Sequence, residues 1–277
     1  MRRIGLIHPG AMGASVGAAA RSNQHTVLWA SSGRTASTAA RARRANLEDA
    51  GTVADLVKGS EIVLSVCPPH AAEEVAREVA QLGFSGVYVE CNAISPDRTR
   101  AIQRIIENAG AHYVDGGIIG GPAWTREART HLYLSGPRAE EVAACFAGSP
   151  LETPVISERI GAASALKMGY AAYTKGTTAL LTAILGLVEK EGVRADLARQ
   201  WGDTFTTQTV RRVCANTAKA WRFVGEMHEI AATFKGAGLP GGFHEAAAEV
   251  YARLAAFKDQ AEPPAIESVL EALLKSD

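Results

Sequence analysis

The stretch at residues 5–13, GLIHPGAMG, carries residue types that bind phosphate groups. Gly10 and Gly13 match the second and third glycines of the G-x-G-x-x-G turn, while His8 stands at the position of the first. In such a turn, backbone N–H groups at a helix N-terminus and the helix dipole attract the pyrophosphate of a dinucleotide. The motif is degenerate, but it predicts a dinucleotide site. Its expected contacts are His8, Pro9, Gly10, Ala11, Met12 and Gly13.

His8 and Pro9 change the start of this turn. Pro9 fixes one backbone angle and removes an N–H donor, and His8 replaces a glycine with an imidazole. Two interpretations of His8 stay open. It contacts the coenzyme or the substrate, or it is a structural histidine whose polar atoms are satisfied by its neighbours.

The residues after the apolar run at 26–30, TVLWA, indicate which dinucleotide is favoured. An acidic residue there binds the ribose hydroxyls of NAD, whereas an arginine accommodates the ribose phosphate of NADP. No acid precedes Glu48, and Ser31, Ser32 and Arg34 directly follow the run as donors for a dianionic phosphate. We therefore expect NADP, with NAD less favoured. Three further arginines are interpreted as the solvated face of a helix: Arg41, Arg43 and Arg44.

The elements that position these residues alternate between apolar runs and helical patterns. Near-continuous apolar strands between helices predict a parallel sheet covered on both faces, with ligands at the carboxyl ends of its strands. Ser95 and Pro96 mark a helix start after the strand VYVEC. The predicted runs are 3–8, 11–22, 26–30, 35–45, 61–66 and 87–91. Coenzyme contacts are also expected at Cys67, Pro68 and Asn92.

The alternation stops near residue 158, and the remainder is alanine-rich with helical periodicity. The fold class is therefore α/β, a Rossmann-type doubly wound parallel sheet followed by an all-α domain. We expect a dinucleotide-binding domain at residues 1–158 and a domain for substrate binding and dimerisation at 159–277. The glycine-rich segment 236–242 is a clear helix breaker.

Composition limits the function classes. Lys plus Arg and Asp plus Glu both number 29, which argues against a nucleic-acid partner. The four cysteines lie far apart without a C-x-x-C pair, so we expect reduced thiols in a cytoplasmic protein. We expect no membrane span, and the apolar run at 4–20 contains a His-Pro pair, unlike a signal peptide. His228 begins no H-E-x-x-H motif, so no metal is expected.

Four motifs together resemble the β-hydroxyacid dehydrogenase superfamily, which includes hydroxyisobutyrate and phosphogluconate dehydrogenases and, more distantly, imine reductases. The first is the turn at 5–13, and the second is ECNAISP at 90–96, similar to the family's Asp-x-Ser-Thr-x-x-Pro. VDGGIIGGP at 114–122 is parallel to the substrate-carboxylate loop Asp-Ala-Pro-Val-Ser-Gly-Gly. GAASALKMGY at 161–170 resembles Gly-x-Gly-x-x-x-Lys-x-x-Asn, and the resemblance places Lys167 on the family's catalytic lysine.

The chain departs from the family at several substrate positions. Ile119 stands where the family has a substrate-binding serine, and Tyr170 replaces an asparagine. Gly225 and Glu226 take the places of a lysine and an aspartate. The resemblance thus indicates an atypical branch with its own C-terminal helical domain. Substrate contacts are expected at Ser95, Gly117, Ile119, Gly120, Thr174 and Glu226.

Lys167 is the expected acid or base. Oxidation of an alcohol needs a group that takes the hydroxyl proton, and reduction of a carbonyl or imine needs the same group as an acid. Tyr170, Thr174 and Thr178 follow Lys167 at helical spacing, so we expect them on one face, with Tyr170 orienting substrate or relaying a proton. By residue type alone, a lone lysine is by default a surface cation, and the resemblance supplies the catalytic role.

The sequence therefore predicts an NADP-dependent oxidoreductase that transfers a hydride between the nicotinamide and a small hydroxy or oxo compound. An imine reductase stays open because the carboxylate-binding residues have changed. A dinucleotide-binding sensor without turnover is a third possibility. The resemblance implies a homodimer, with the substrate site between the two domains.

Overall fold

The computed structural model describes residues 1–258 and 260–275. Two compact units result, Met1–Met168 and Gly169–Asp277. This division lies ten residues beyond the boundary that we predict after residue 158, and that boundary stays a prediction.

The first unit is an α/β layer structure. Its strands are β1 (Arg3–Ile7), β2 (Thr26–Trp29), β3 (Glu48–Asp49), β4 (Ile62–Ser65), β5 (Val87–Glu90), β6 (His112–Ile119), β7 (His131–Ser135) and β8 (Val155–Ser157). Its helices are α1 (Ala11–Ser22), α2 (Ala36–Arg44), α3 (Val53–Lys58), α4 (Ala72–Gln81), α5 (Pro96–Asn108), α6 (Ala139–Ala144) and the start of α7 (Ala162–Ala171).

The strands form one sheet in the order β3-β2-β1-β4-β5-β6-β7-β8. Neighbouring strands run parallel except β6 and β7, which are antiparallel. The strand order reverses between β1 and β4, and ligands bind at the carboxyl ends of strands beside such a switch point. The predicted Rossmann-type fold class is confirmed. The turn at residues 8–10 follows β1 and therefore lies at this edge.

Alternate residues of the strands build a core on each face of the sheet, as buried parallel strands require. Ile4 and Leu6 pack with Val16 of α1 in one cluster. Ile7 and Tyr88 pack with residues of α4 and α5 in the second cluster. Ser95 accepts a hydrogen bond from the backbone N–H of Arg98 at 3.4 Å, so the predicted cap of α5 is confirmed.

The second unit is helical, as predicted. A π-helical turn (Ala172–Gly176) follows α7, and the later helices are α8 (Thr177–Lys190), α9 (Arg194–Trp201), α10 (Asp203–Asn216), α11 (Ala220–Gly236), α12 (Gly242–Arg253) and α13 (Ile266–Leu274). Helices α11 and α12 pack side by side, and the predicted breaker at 236–242 lies between them. Met227 and Ile230 of α11 and Tyr251 of α12 are among the buried residues.

The helical run Ala162–Lys190 is 29 residues long and has a mean hydropathy of 1.2 in its most apolar window. By length and composition alone it could cross a membrane. Core helices of soluble proteins pass the same test, and 39% of the window is buried inside the protein. The run therefore carries no membrane assignment.

Candidate functional site

The turn between β1 and α1 has the geometry of a phosphate cradle. Gly10 caps α1, and the first helical hydrogen bond is donated by Ala14 to Gly10 at 2.9 Å. The N–H groups of residues 11–13 precede that bond and are the donors that a helix N-terminus offers to an anion. A Cβ on Gly13 would lie 2.2 Å from the carbonyl oxygen of His8, so only glycine allows this close approach.

Gly10 differs from Gly13 in what surrounds it. A Cβ built on Gly10 meets no atom within 4 Å among the described residues. The open space lies beside the helix N-terminus, where a pyrophosphate would bind. The residues of this turn therefore fit a dinucleotide at the second and third glycine positions.

His8 has partners in the segments that follow two neighbouring strands, β4 and β2. Its backbone N–H donates to the carbonyl of Val66, after β4, at 3.2 Å. Its Nε2 lies 3.3 Å from Nη2 of Arg34. Burial, together with the positive charge of Arg34, lowers the pKa of His8 to about 4, so the imidazole is neutral at pH 7 and accepts from the guanidinium. Pro9 is buried.

The predicted phosphate-binding residues lie in a turn after β2. Ser31 accepts a backbone hydrogen bond from Arg34 at 3.0 Å, and Ser32 donates one to Gly51 at 2.9 Å. Ser32 and Arg34 are exposed, whereas Ser31 is half-buried. The pairing between Arg34 and His8 brings this turn to the glycine-rich turn.

The interpretation of the helix α2 arginines as a solvated face is wrong for Arg41, whereas Arg43 and Arg44 are exposed as predicted. Arg41 is half-buried, and its Nε donates to the carbonyl oxygen of Pro9 at 3.2 Å. Arg44 lies 4.2 Å from the ring centroid of Trp124. Arg41 thus stabilises the glycine-rich turn, a long-range contact that residue type alone does not reveal.

Strand β3 brings an acid close to β2, and the sequence pattern does not predict this acid. Asp49 lies opposite Trp29, the last residue of β2. Its Oδ1 accepts the N–H of Gly51 at 2.8 Å, so the carboxylate is used in its own turn. A two-residue edge strand of charged residues shows none of the apolar alternation on which strand prediction depends.

Asn92 holds the ends of β4 and β5 together. Its Oδ1 accepts the backbone N–H of Cys67 at 2.5 Å, and its Nδ2 donates to Ser65 Oγ at 3.0 Å. The side chain is only 3% exposed, so it shapes the Cys67–Pro68 turn, and the expected direct contact with the coenzyme stays a prediction. Burial raises the pKa of Cys67 to about 12, which excludes a thiolate at neutral pH.

The segment predicted as a substrate loop is largely strand. Gly117 and Ile119 belong to β6 and lie opposite Tyr133 and His131 of β7. The antiparallel pairing with β7 overrides the low strand propensity of glycine, and the substrate contacts expected at Gly117 and Ile119 stay predictions. Gly120, just after β6, has a φ of +126°, and a Cβ there would lie 2.9 Å from Thr130 Cα. Ser95 is buried as the cap of α5.

Asp115 of β6 anchors the start of helix α7. Its carboxylate accepts five hydrogen bonds, and the donors are Thr99 Oγ1, Ser135 Oγ, the N–H of Gly161, and both the N–H and Oγ of Ser164. A buried carboxylate at a helix N-terminus complements the helix dipole. Asp115 therefore fixes where α7 begins against the sheet.

Gly117, two residues further along β6, sets how closely α7 approaches. A Cβ on Gly117 would lie 2.7 Å from the carbonyl oxygen of Ala163 and 3.0 Å from Cβ of Lys167. Lys167 is half-buried on α7. The carboxylate of Asp115 and the absence of a side chain at Gly117 together place the predicted catalytic lysine close to β6.

The single face predicted for Lys167 through Thr178 is wrong. Tyr170 is 48% exposed, while Ala171 and Thr178 are buried. The π-helical turn at Ala172–Gly176 inserts one residue, which rotates the following positions by about 100°. The hydroxyl of Thr174 donates to the carbonyl of Tyr170 at 3.1 Å, within its own helix.

Within the helical unit, Glu226 is paired with Lys175, which is not among the predicted site residues. Lys175 Nζ lies 2.8 Å from Glu226 Oε2, and both side chains are largely buried. The ammonium group also lies 5.1 Å from the ring centroid of Phe223. The Glu226 carboxylate, predicted to contact substrate, is thus neutralised inside its unit. Lys175 is a charged residue within an apolar helical segment, and this pattern was the available signal for a buried ion pair.

Residues 1–258 and 260–275, which the structure describes, hold no group of three or more His, Cys, Asp or Glu that could bind a metal ion. The four cysteines are unpaired thiols.

The comparisons with known proteins agree with this architecture. The chain is 33% identical over 144 residues to an uncharacterized 28.5 kDa protein in the 7S RNA 5′ region of Methanothermus fervidus, and the match covers 52% of this chain and 54% of that protein. The chain thus matches about half the length of this curated relative. Residues 188–254 match a domain of unknown function, DUF1932.

Solved structures match over almost the whole chain. The conserved protein MTH1747, whose structure was found similar to 3-hydroxyacid dehydrogenases, is 26% identical with a TM-score of 0.65, covering 92% of this chain and 97% of that one. A Mycobacterium tuberculosis 3-hydroxyisobutyrate dehydrogenase, determined with L-serine, is 19% identical with a TM-score of 0.69, over 99% and 100% of the chains. A Streptomyces aurantiacus imine reductase, 20% identical with a TM-score of 0.55 over 99% and 100%, shares the fold.

These findings confirm the resemblance that the sequence motifs indicate. Residues 3–146, half of the chain, match the NAD binding domain of 6-phosphogluconate dehydrogenase. The glycine-rich turn and strands β1 to β7 lie within this matched region. The chain therefore belongs to the family of the NAD binding domain of 6-phosphogluconate dehydrogenase.

Proposed function

We propose that the protein is an NADP-dependent oxidoreductase that transfers a hydride between the nicotinamide and a small hydroxy or oxo compound, with Lys167 as general acid and base. The observation that carries the proposal is the placement of Lys167 on a helix that Asp115 and Gly117 hold against the sheet. A catalytic amine needs such a fixed position to reach a reacting atom.

The coenzyme site is formed by two turns of the first unit. The N–H groups at the start of α1 bind the pyrophosphate, beside the open space at Gly10. Ser31, Ser32 and Arg34 bind the ribose phosphate, with His8 accepting from Arg34 to orient its guanidinium. The exposed position of Arg34 and the local use of Asp49 both favour NADP over NAD.

The chemistry requires a proton transfer coupled to the hydride transfer. The bound coenzyme supplies or accepts the hydride. In oxidation, Lys167 Nζ takes the proton of the substrate hydroxyl as the C–H electron pair leaves with the hydride and the C=O bond forms. In reduction, the same ammonium group gives its proton to the oxygen or nitrogen of the double bond. Tyr170, one turn later on α7, orients the substrate.

The test measures NADPH consumption with a panel of oxo acids, sugar acids, aldehydes and cyclic imines. Lys167→Ala is compared with Lys190→Ala, a change at an exposed lysine at the end of α8. Loss of a general acid lowers kcat by about 10²–10⁴, whereas the control keeps the unmodified rate. Activity that survives Lys167→Ala rejects the role of the lysine. Turnover of cyclic imines alone favours the imine reductase alternative.

We also propose that the protein acts in the cytoplasm as a homodimer. Large apolar side chains are exposed on the helical unit, among them Leu180, Leu187 and Phe205, and such side chains favour association with a second copy. Sedimentation equilibrium checks this directly, because a monomer mass contradicts it.

A further inference from the structure

Two buried carboxyl groups lie on neighbouring strands of the first unit. Glu90 ends β5 and pairs in register with Asp115 of β6. Both residues are 0% exposed. Side chains at the same register in parallel strands face the same side of the sheet, so the two groups are neighbours in a region with little water.

The hydrogen bonds distribute charge unequally between the two acids. Asp115 accepts five, which stabilise an ionised carboxylate. Glu90 accepts from Asn92, whose backbone N–H donates to Oε1 at 2.9 Å. Its Oε2 is buried and has no hydrogen-bond partner in residues 1–258 and 260–275. Since two adjacent buried charges are unfavourable, the proton resides on Glu90.

A chain of hydrogen bonds leads from Glu90 to the proposed coenzyme turn. Glu90 holds the N–H of Asn92, and Asn92 Oδ1 holds the N–H of Cys67 at 2.5 Å. Next to Cys67, the carbonyl of Val66 accepts the N–H of His8 at 3.2 Å. The end of β5 is therefore connected through the end of β4 to the first residue of the glycine-rich turn.

We propose that Glu90 is a positioning residue of the coenzyme site. As an uncharged acid it holds Asn92 and, through Asn92, the Cys67–Pro68 turn and the start of the glycine-rich turn at His8. The proposal rests on the proposed coenzyme site. Ionisation of Glu90 beside Asp115 would require water or a new conformation at the end of β5. Either change breaks the bond to Asn92 and displaces the turn.

Glu90 is expected to titrate near pH 8, whereas the titratable groups that face it are not. Burial raises the pKa of Glu90 to about 8, hydrogen bonds from Asn92 oppose this shift, and the negative charge of Asp115 adds to it. The positive charge of Arg98 on α5 also opposes the rise in the pKa of Glu90. Burial raises the pKa of Cys67 to about 12. It also raises the pKa values of Cys91, Tyr88 and Tyr113 well above their usual ranges.

The test is a titration of the full chain with NADPH between pH 7 and pH 9. If only protein with protonated Glu90 binds, the competent fraction at pH 9 is about one tenth, so the apparent Kd rises about tenfold. Glu90→Gln keeps the acceptor for Asn92 without a titrating group, and its Kd stays within about twofold. Glu78→Gln, at an exposed position on α4, follows the unmodified protein. A flat Kd in the unmodified protein overturns the proposal, as does the same rise in Glu90→Gln.

A second measurement covers the case in which Glu90→Gln does not fold. The infrared carbonyl band of a protonated carboxyl group, in the unmodified protein, should disappear over the same pH range in which affinity falls. Separate midpoints for the two events overturn the proposal. Folded protein that binds no NADPH at any pH rejects the coenzyme site itself and this role with it, whereas pH-independent binding rejects only the role of Glu90.

Discussion

His8 and Arg34 show how one changed residue alters a nucleotide-binding turn. A glycine at position 8 would leave the guanidinium of Arg34 without the imidazole acceptor that lies 3.3 Å away. Because its pKa is lowered to about 4, His8 stays neutral above pH 5 and does not repel the arginine. The pair therefore presents a positive charge at the carboxyl end of β2, where the ribose phosphate of NADP is bound in this fold.

At the residue scale, Arg34→Ala should weaken NADPH binding and leave NADH binding nearly unchanged. A hydrogen bond to a charged group contributes about 1.5–3 kcal/mol, which corresponds to roughly a 10- to 150-fold rise in Kd. Arg43→Ala is the matched control, since Arg43 is an exposed arginine of the neighbouring helix α2. Calorimetric titrations with both coenzymes provide the ratio of the Kd values for NADPH and NADH. An unchanged ratio in Arg34→Ala means that the phosphate is bound elsewhere.

Single residues with local roles were predictable, and residues with distant partners were not. The cap at Ser95 and the need for glycine at position 13 follow from short motifs, and the structure shows both. The burial of Asn92 and its bond to Cys67 depend on a partner 25 positions away. No local pattern encodes such a contact, so the sequence presents Asn92 as an available ligand.

At the element scale, strand β6 and helix α7 act together to place Lys167. Asp115 accepts N–H donors at the start of the helix, and Gly117 removes the side chain that would separate helix from strand. Loss of either contact would move the lysine relative to the sheet. If Lys167 is the acid and base that we propose, a small displacement is sufficient to lower the rate, because acid-base catalysis depends on distance.

Gly117→Ala tests this packing. The added methyl group would lie 2.7 Å from the carbonyl oxygen of Ala163, so we expect a destabilisation of about 1–3 kcal/mol and a lower kcat. Gly169→Ala is the control on the same helix, because a Cβ there meets no described atom within 4 Å. The control should be neutral or more stable by about 0.5–1 kcal/mol. The measurements that check this prediction are the thermal unfolding midpoint and kcat of both variants. Equal behaviour of the two would contradict close packing of α7 on β6.

Elements with a clear period were predictable, and those defined by pairing or by an irregular turn were not. The boundaries of α1 agree with the prediction. The glycines of β6 resemble a loop because strand propensity is low for glycine, and pairing with β7 decides the outcome. The π-helical turn at 172–176 follows no simple periodicity, which explains why the face predicted beyond Ala171 was wrong.

At the scale of the whole molecule, each unit has its own core and its own polar anchors. The first unit holds the glycine-rich turn, the Arg34 turn and the buried acids within residues 1–168. The helical unit holds the pair of Lys175 and Glu226. The fold class was predictable from the change in periodicity near residue 158, whereas the pairing of Lys175 required the folded chain.

The most direct measurement of the central claim is a calorimetric titration of the full chain with NADPH, with NADH in parallel. We predict saturable binding of NADPH with a Kd at least about tenfold below that of NADH. At a concentration of 100 times Kd, NADPH should also stabilise the protein by about 2.7 kcal/mol. Absence of binding by either coenzyme to folded protein would contradict the account of the glycine-rich turn and of the activity built on it.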